Sequence, residues 1–216
     1  MGYASGQSLM PDERPTVFVI DDDVAVRDAI RGTVRSVGLR AETFESPQDF
    51  LSKWRPAAPS CLVLDVRLQG ASGLDFQNEL ARAGIEIPII FITGYGDIPM
   101  SVRAMKAGAV EFLTKPFREQ DLLDAVHVAL ARDGVVQMER AERSVLRQRL
   151  ESLSGRERQV LRLVLAGKLN KEIAAQLGIA EITVKVQRGH LMRKMKAESV
   201  IDLVRMAERL DATSLC

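Results

Sequence analysis

The 216-residue chain is long enough for one large or two small domains, and its 46% hydrophobic and 27% charged content suits a soluble globular protein with real cores. A net charge of +1 hides two unlike halves: residues 1–130 carry 13 Lys and Arg against 18 Asp and Glu, a net of −5, whereas residues 151–216 carry 12 against 8, a net of +4. Two cysteines, Cys61 in an apolar run and Cys216 at the end, exclude a disulfide framework and a cysteine metal site and point to a reducing cytoplasm, and no apolar stretch approaches a membrane span.

Residues 1–14 have neither a basic start nor an apolar core, so a flexible tail is expected there and not a signal peptide. TVFVI at 16–20 predicts a short buried strand. Val26, Ile30, Thr33, Val34 and Val37 then recur as one helical face, with Asp23 as N-cap and Gly38 as C-cap. RAETF at 40–44 predicts a second strand. Ser46-Pro47-Gln48-Asp49 opens a helix with a cap, a first-turn proline and an acid at the third position. SCLVL, PIIFI and AVEFL supply three more strands, and helices are expected over 73–83, 98–107 and 118–131. Five strands alternating with five helices predict an α/β domain: a doubly wound, five-stranded parallel sheet with right-handed crossovers.

From 132 to 150 apolar positions thin out among Arg, Glu and Gln, which predicts a helical linker. A heptad reading puts Glu142 and Arg149 at core positions beside Val135, Met138 and Val145, so an isolated coiled coil is not expected. From 151 the pattern is wholly helical. GRERQVLRLVLAG ends at Gly167, NKEIAAQL ends at Gly178, EITVKVQRGHLMRKM follows a three-residue turn, and Ser199 caps a last helix. Two helices joined by a short turn containing glycine form a helix-turn-helix.

Chemistry gathers at the strand ends. VIDDD, CLVLD, FITG and FLTKPF place Asp21, Asp22, Asp23, Asp65, Thr93 and Lys115 just past apolar runs, and strand C-termini share one edge of an open parallel sheet. An Asp carboxylate can attack phosphorus, but the incoming negative charge demands a cation and fixed donors. Asp65 fits the nucleophile, Asp21 and Asp22 the side of a Mg²⁺ ion, Lys115 and Thr93 the phosphoryl oxygens. Taken singly, each has a plainer reading as a cap, turn or packing residue. Their order, each at a strand end, favours a joint site.

In the basic half, about 100° per residue puts Val184, Leu191 and Met195 on one stripe of helix 181–195. The opposite stripe carries Ile182, Lys185, Val186, Gly189, Arg193 and Lys196, small or basic as an approach to DNA requires. Lys185, Val186 and Gly189 stand where base edges are read; Arg193 and Lys196 suit phosphates. Arg188, at the edge of the core stripe, is long enough to reach the backbone or a base. Gly189 costs the helix about 1 kcal/mol relative to Ala, and close approach of DNA is one rationale. His127 and His190 are too far apart in sequence for a metal motif.

Residues 15–131 resemble the receiver domain of two-component response regulators, through VIDDD, LVLDVRLQGASGLD, FITGYGDIPMSVRAMKAGAVEFL and KPF. Residues 151–211 resemble the LuxR-type helix-turn-helix domain, through LSGRERQVLRLVLAGKLNKEIAAQLGIAEITVKV and HLMRKM. Together they resemble the NarL/FixJ class, with a FixJ-like receiver of flavodoxin-like fold. That resemblance implies Asp65 as phosphoacceptor, Mg²⁺ held by Asp21, Asp22, Asp65 and the Arg67 carbonyl, Thr93 and Phe112 as switch residues, and a cis bond before Pro116. It adds Asn170, Lys171 and Thr183 as DNA contacts. Implied partners are a sensor histidine kinase, double-stranded promoter DNA, RNA polymerase as a further candidate, and a second copy when phosphorylated, through the face of helix 98–107, strand 109–113 and helix 118–131. No membrane partner is implied.

Three positions depart from the family pattern. Gln69 replaces a usual proline, which predicts a less rigid loop; Gln187 stands where relatives often have His; Tyr95 is bulky at the site mouth and is expected to slow water access. An aspartate phosphatase would need an acid/base Asp where Arg67 stands, and no G-x-x-x-x-G-K-[ST] loop is present, so an enzyme is not expected. A receiver acting only through protein partners would lack salt-dependent binding to duplex DNA.

Overall fold

A computed structural model describes residues 14–53, 58–96 and 98–210; the expected tail lies outside them except for Arg14. Packing divides the chain into two units that meet in sequence between Gln137 and Met138.

In the first unit the order is β1 (Thr16–Ile20), α1 (Val24–Ser36), β2 (Arg40–Phe44), α2 (Pro47–Lys53), β3 (Ser60–Asp65), β4 (Arg67–Leu68), β5 (Ala71–Ser72), α3 (Gly73–Arg82), β6 (Ile89–Thr93), α4 (Ile98–Lys106), β7 (Glu111–Thr114) and α5 (Glu119–Glu151). Five strands pair in parallel in the order β2-β1-β3-β6-β7, the flavodoxin-like arrangement expected. β1, β3 and β6 are buried along their whole length, because helices cover both faces. Phe18, Ile20, Leu62, Leu64 and Phe91 pack with Phe50, Phe76 and Leu80; Val17, Val19, Val63, Ile90 and Ile92 pack with Ile30, Val34, Leu122 and Val126. Phe50 is fully buried, with ring centroids of Phe18, Phe44 and Phe76 at 5.4, 5.5 and 6.1 Å. Truncating such a residue to Ala costs about 3–5 kcal/mol.

Three features differ from the sequence reading. The loop after Asp65 is a tight hairpin, in which Arg67 pairs with Ser72 and Leu68 with Ala71 around Gln69 and Gly70. β7 starts at Glu111 and not at 109, because the Ala109 N–H still closes the end of α4 on the Ala104 carbonyl, at 3.1 Å. The helix expected over 118–131 and the linker over 132–150 are one unbroken helix, α5. Its span holds no proline, and Gly134 alone, at about 1 kcal/mol, does not break it. Beyond residue 131 it is anchored: the buried Asp133 carboxylate accepts from the Ser60 N–H at 2.7 Å and from Gln137 Nε2 at 2.7 Å, while Gln137 Nε2 also donates to the Ala58 carbonyl at 3.0 Å.

The second unit contains the last turns of α5, then α6 (Gly155–Leu165), α7 (Asn170–Leu177), α8 (Glu181–Met195) and α9 (Val200–Arg209). Ser154 with Glu157 and Ser199 with Asp202 form reciprocal capping boxes at α6 and α9. Leu146 and Leu150 of α5 are buried with Val160, Leu161, Ile173, Val184, Leu191 and Leu203, so the end of the expected linker is part of this core. Among the described residues, no helix is long and apolar enough to cross a membrane.

Candidate functional site

Parallel register brings the strand ends to one edge. Ile20 pairs with Leu64, Asp65 with Ile92, and Thr93 with Thr114, so Asp21, Asp65, Thr93 and Lys115 follow one another across the sheet. Lys115 Nζ donates to Asp21 Oδ2 and to Asp65 Oδ2, both at 2.6 Å. Carboxylate oxygens of Asp21, Asp22 and Asp65 lie within 4.8 Å of one another. Asp23 caps α1, accepting from the Ala25 N–H at 2.8 Å. The Lys115–Pro116 bond is cis.

Burial raises the Asp21 carboxyl above its usual range, against the lowering effect of Lys115 and the Asp23 N–H. Burial also depresses the Lys115 ammonium, but its hydrogen bonds and charge contacts with Asp21 and Asp65 outweigh that and hold it above the ordinary lysine value. Three carboxylates facing one ammonium leave a local excess of two negative charges when all are ionised. Hard oxygen donors with that excess suit a divalent cation such as Mg²⁺. Cys61, on β3, is buried and plays no part; burial pushes its thiol up.

Neighbouring backbone fixes the carboxylates. The Arg67 N–H donates to Asp65 Oδ1 and the Asp23 N–H to Asp21 Oδ1, both at 2.9 Å. Thr93 is fully buried, and its hydroxyl accepts from the Tyr95 N–H at 3.2 Å. Phe112 is half-buried, its ring 6.4 Å from that of Phe91. The Arg67 guanidinium lies over the exposed Tyr95 ring, 4.7 Å from its centroid. Sequence reading missed three supporting residues. A Cβ on Gly73 would run into the Asp65 carbonyl, and one on Gly96 would come within 2.8 Å of Thr114 and 3.0 Å of Phe112. Arg27 Nη1 donates to the Asp21 carbonyl at 2.6 Å. The SGL and GYG runs hold a faint signal for the two glycines; nothing in the spacing marks Arg27.

In the second unit, Gly178 takes φ 66° and turns α7 into α8. Val184, Leu191 and Met195 are buried, as their stripe predicts. Lys171, Thr183, Lys185, Val186, Gly189 and Arg193 are exposed on the other side or at the start of α7. Asn170 and Arg188 are half-buried and meet each other, Arg188 Nη1 donating to Asn170 Oδ1 at 2.9 Å. Lys196 departs from its expected place on the helical stripe: α8 ends at Met195, and Lys196 is exposed as its cap with φ 54°.

Comparison with known proteins agrees with this division. Residues 17–127 match the model of the response regulator receiver domain, and residues 151–207 match that of the bacterial regulatory proteins, luxR family. The chain is 56% identical over 196 residues to nodulation protein W of Bradyrhizobium diazoefficiens, covering 90% of this chain and 86% of that protein. It is 50% identical over 206 residues to response regulator protein TodT of Pseudomonas putida, covering 95% and 91%. It is similar to the solved structure of the response regulator StyR, with a TM-score of 0.83 and 49% identity over 91% of this chain and 99% of that one.

Proposed function

The chain belongs to the two-component response regulators that join a receiver to a LuxR-family DNA-binding domain, a family of transcriptional regulators and not of enzymes, and on that premise we propose how its residues divide the work. The observation that carries the reading is the convergence of three carboxylates with Lys115 on one edge of the sheet. Asp65 is the phosphoacceptor. One of its oxygens attacks the phosphorus of a phosphohistidine on a sensor kinase; the P–N bond breaks, and the imidazole leaves with a proton from solvent. Asp21, Asp22, Asp65 and the Arg67 carbonyl hold Mg²⁺, which when bound offsets phosphoryl charge. Lys115 neutralises one phosphoryl oxygen, and Thr93 donates to another.

Movement of Thr93 and Phe112 toward the phosphoryl group biases the face of α4, β7 and α5 toward pairing with a second copy, as a shift between two existing states. In the DNA-binding half, α8 enters the major groove of promoter DNA with Lys185, Val186 and Gly189 toward base edges. Asn170, Lys171, Thr183, Arg188, Arg193 and Lys196 serve the backbone and groove walls. RNA polymerase is the further partner in this reading, and the setting is the cytoplasm. The receiver spans 15–131, with two further turns of α5 to Gln137 anchored on it, and 132–150 connects it to a DNA-binding domain over 151–211.

Labelling by acetyl phosphate tests the site. Uptake is expected only with Mg²⁺ present, and Asp65→Asn is expected to abolish it while the far-ultraviolet circular dichroism is unchanged. Full labelling of that variant, stable to hydroxylamine, would overturn the assignment.

A further inference from the structure

Two exposed apolar, β-branched side chains set α8 apart from an ordinary solvated helix. Ile182 is 68% exposed and Val186 49% exposed, although Val184, Leu191 and Met195 of the same helix are sealed in the core. Ile182, Lys185, Val186 and Gly189 follow the i, i+3, i+4, i+7 spacing of a single helical face. That face carries two apolar side chains, one ammonium and one position with no side chain. A Cβ on Gly189 would meet nothing within 4 Å, so packing inside the unit does not require glycine there. Nor does helix stability account for the stripe, since Ile, Val and Gly are all poorer helix formers than the Ala, Glu or Lys an exposed face would otherwise hold.

Cations flank this face. Lys171 at the start of α7, and Arg193 and Lys196 near the end of α8, are all exposed. With phosphates held by such groups, the stripe between them meets base edges. On the floor of the major groove the apolar group that distinguishes one unmodified base from the others is the C5-methyl of thymine.

We propose that Ile182 and Val186 read thymine methyl groups, beside a guanine whose O6 and N7 accept from Lys185. The inference rests on the DNA-binding reading above and names the chemistry it recognises. Ile182 and Val186 stand four residues apart, about 6 Å along the helix axis. That is just under two base-pair steps of about 3.4 Å, so the two methyls are expected within two steps of each other wherever one α8 docks. Gly189, a turn further on, leaves room for the duplex to come close.

The test uses the full-length protein after treatment with acetyl phosphate. Duplexes selected from a random pool are re-made with each thymine replaced singly by uracil, which removes the methyl and keeps every hydrogen-bonding group. Binding is expected to weaken about fourfold for each contacted methyl lost, at one or two thymines within two steps. Ile182→Ala and Val186→Ala remove exposed side chains only; in each, the penalty at the matching thymine is expected to vanish while the other persists. Selective binding that is indifferent to every uracil, or penalties undiminished in both variants, would overturn the inference and leave the DNA-binding reading standing. A stripe kept for a protein partner gives the first of these results. Failure to select any duplex would overturn both.

Discussion

If Asp65 takes the phosphoryl group as proposed, single side chains at the site mouth are expected to set how long it survives. The Tyr95 ring is held by stacking under the Arg67 guanidinium, and its own N–H is tied to the Thr93 hydroxyl, so ring and cation stand together at the site mouth. Tyr95→Ala is expected to speed loss of the acyl phosphate several-fold with little change in the rate of labelling, read from the decay of radiolabelled protein after removal of the donor; equal half-lives would show that the ring does not limit water access. In the second unit Glu157 sits in a network that should make stability depend on pH. Its buried carboxylate accepts from Lys194 Nζ at 2.7 Å and from the Ser154 N–H at 2.7 Å. Lys194 first, then the Ser154 backbone and hydroxyl, hold its pKa below the ordinary 4.5, against burial. A depressed folded value means that the stabilisation is complete above the unfolded value of 4.5 and is lost as pH falls through the folded one. Glu157→Gln is expected to cost about 1–3 kcal/mol at neutral pH and to flatten the acid slope. Urea unfolding followed through α6 resonances measures both, and an unchanged acid slope would assign the acid sensitivity elsewhere.

Elements differ in how plainly the sequence announces them. β1 was legible to the residue because an apolar run lies between Pro15 and Asp21, β2 because RAETF lies between Gly38 and the Ser46-Pro47 helix start, and α8 because its buried stripe recurs at helical spacing. The β4–β5 hairpin was not, since strands of two residues carry no period. Continuity of α5 was obscured because a change of composition near 132 resembles a boundary; what holds the helix onward is the bond from Ser60 to Asp133, 73 residues apart. The acidic pocket was legible because each of its members closes a strand. Gly73 and Arg27 were not, because their roles depend on the main chain of Asp65 and Asp21 being folded against them. On α8 itself, Lys185 lies mid-face and Lys196 caps the end. Lys185→Ala is therefore expected to cost about 1–3 kcal/mol at a specific site and to relax preference there. Lys196→Ala should weaken specific and scrambled duplexes alike and lower the salt slope by about one. Equal losses on both duplexes for Lys185→Ala would mean that α8 is turned otherwise in the groove.

At the scale of the whole molecule the proposed function requires the first half to convert a local charge into a change that a second chain can sense. α4 displays Ile98, Val102 and Met105 at helical spacing, 80%, 44% and 44% exposed, and packs against β7, the edge strand of the sheet. Apolar groups gathered on one exposed face of a folded domain mark a surface that is covered in some state. Phe112 of β7 is half-buried, beside Gly96 and 6.4 Å from the Phe91 ring, on the strand that pairs with the one ending in Thr93. A displacement of Thr93 toward a phosphoryl group on Asp65 would open or close room for that ring, and so bias α4 between two packings. Phosphorylated protein is therefore expected to self-associate at concentrations where the unmodified chain is monomeric. Val102→Glu, which puts a charge into the contact, and Asp65→Asn, which removes the trigger, should both leave it monomeric. Sedimentation of all four samples at equal micromolar concentration decides the matter. Identical mass distributions for phosphorylated and unmodified protein would exclude dimerisation as the switch, whereas a dimer that persists in Val102→Glu would keep the switch but move the interface off α4.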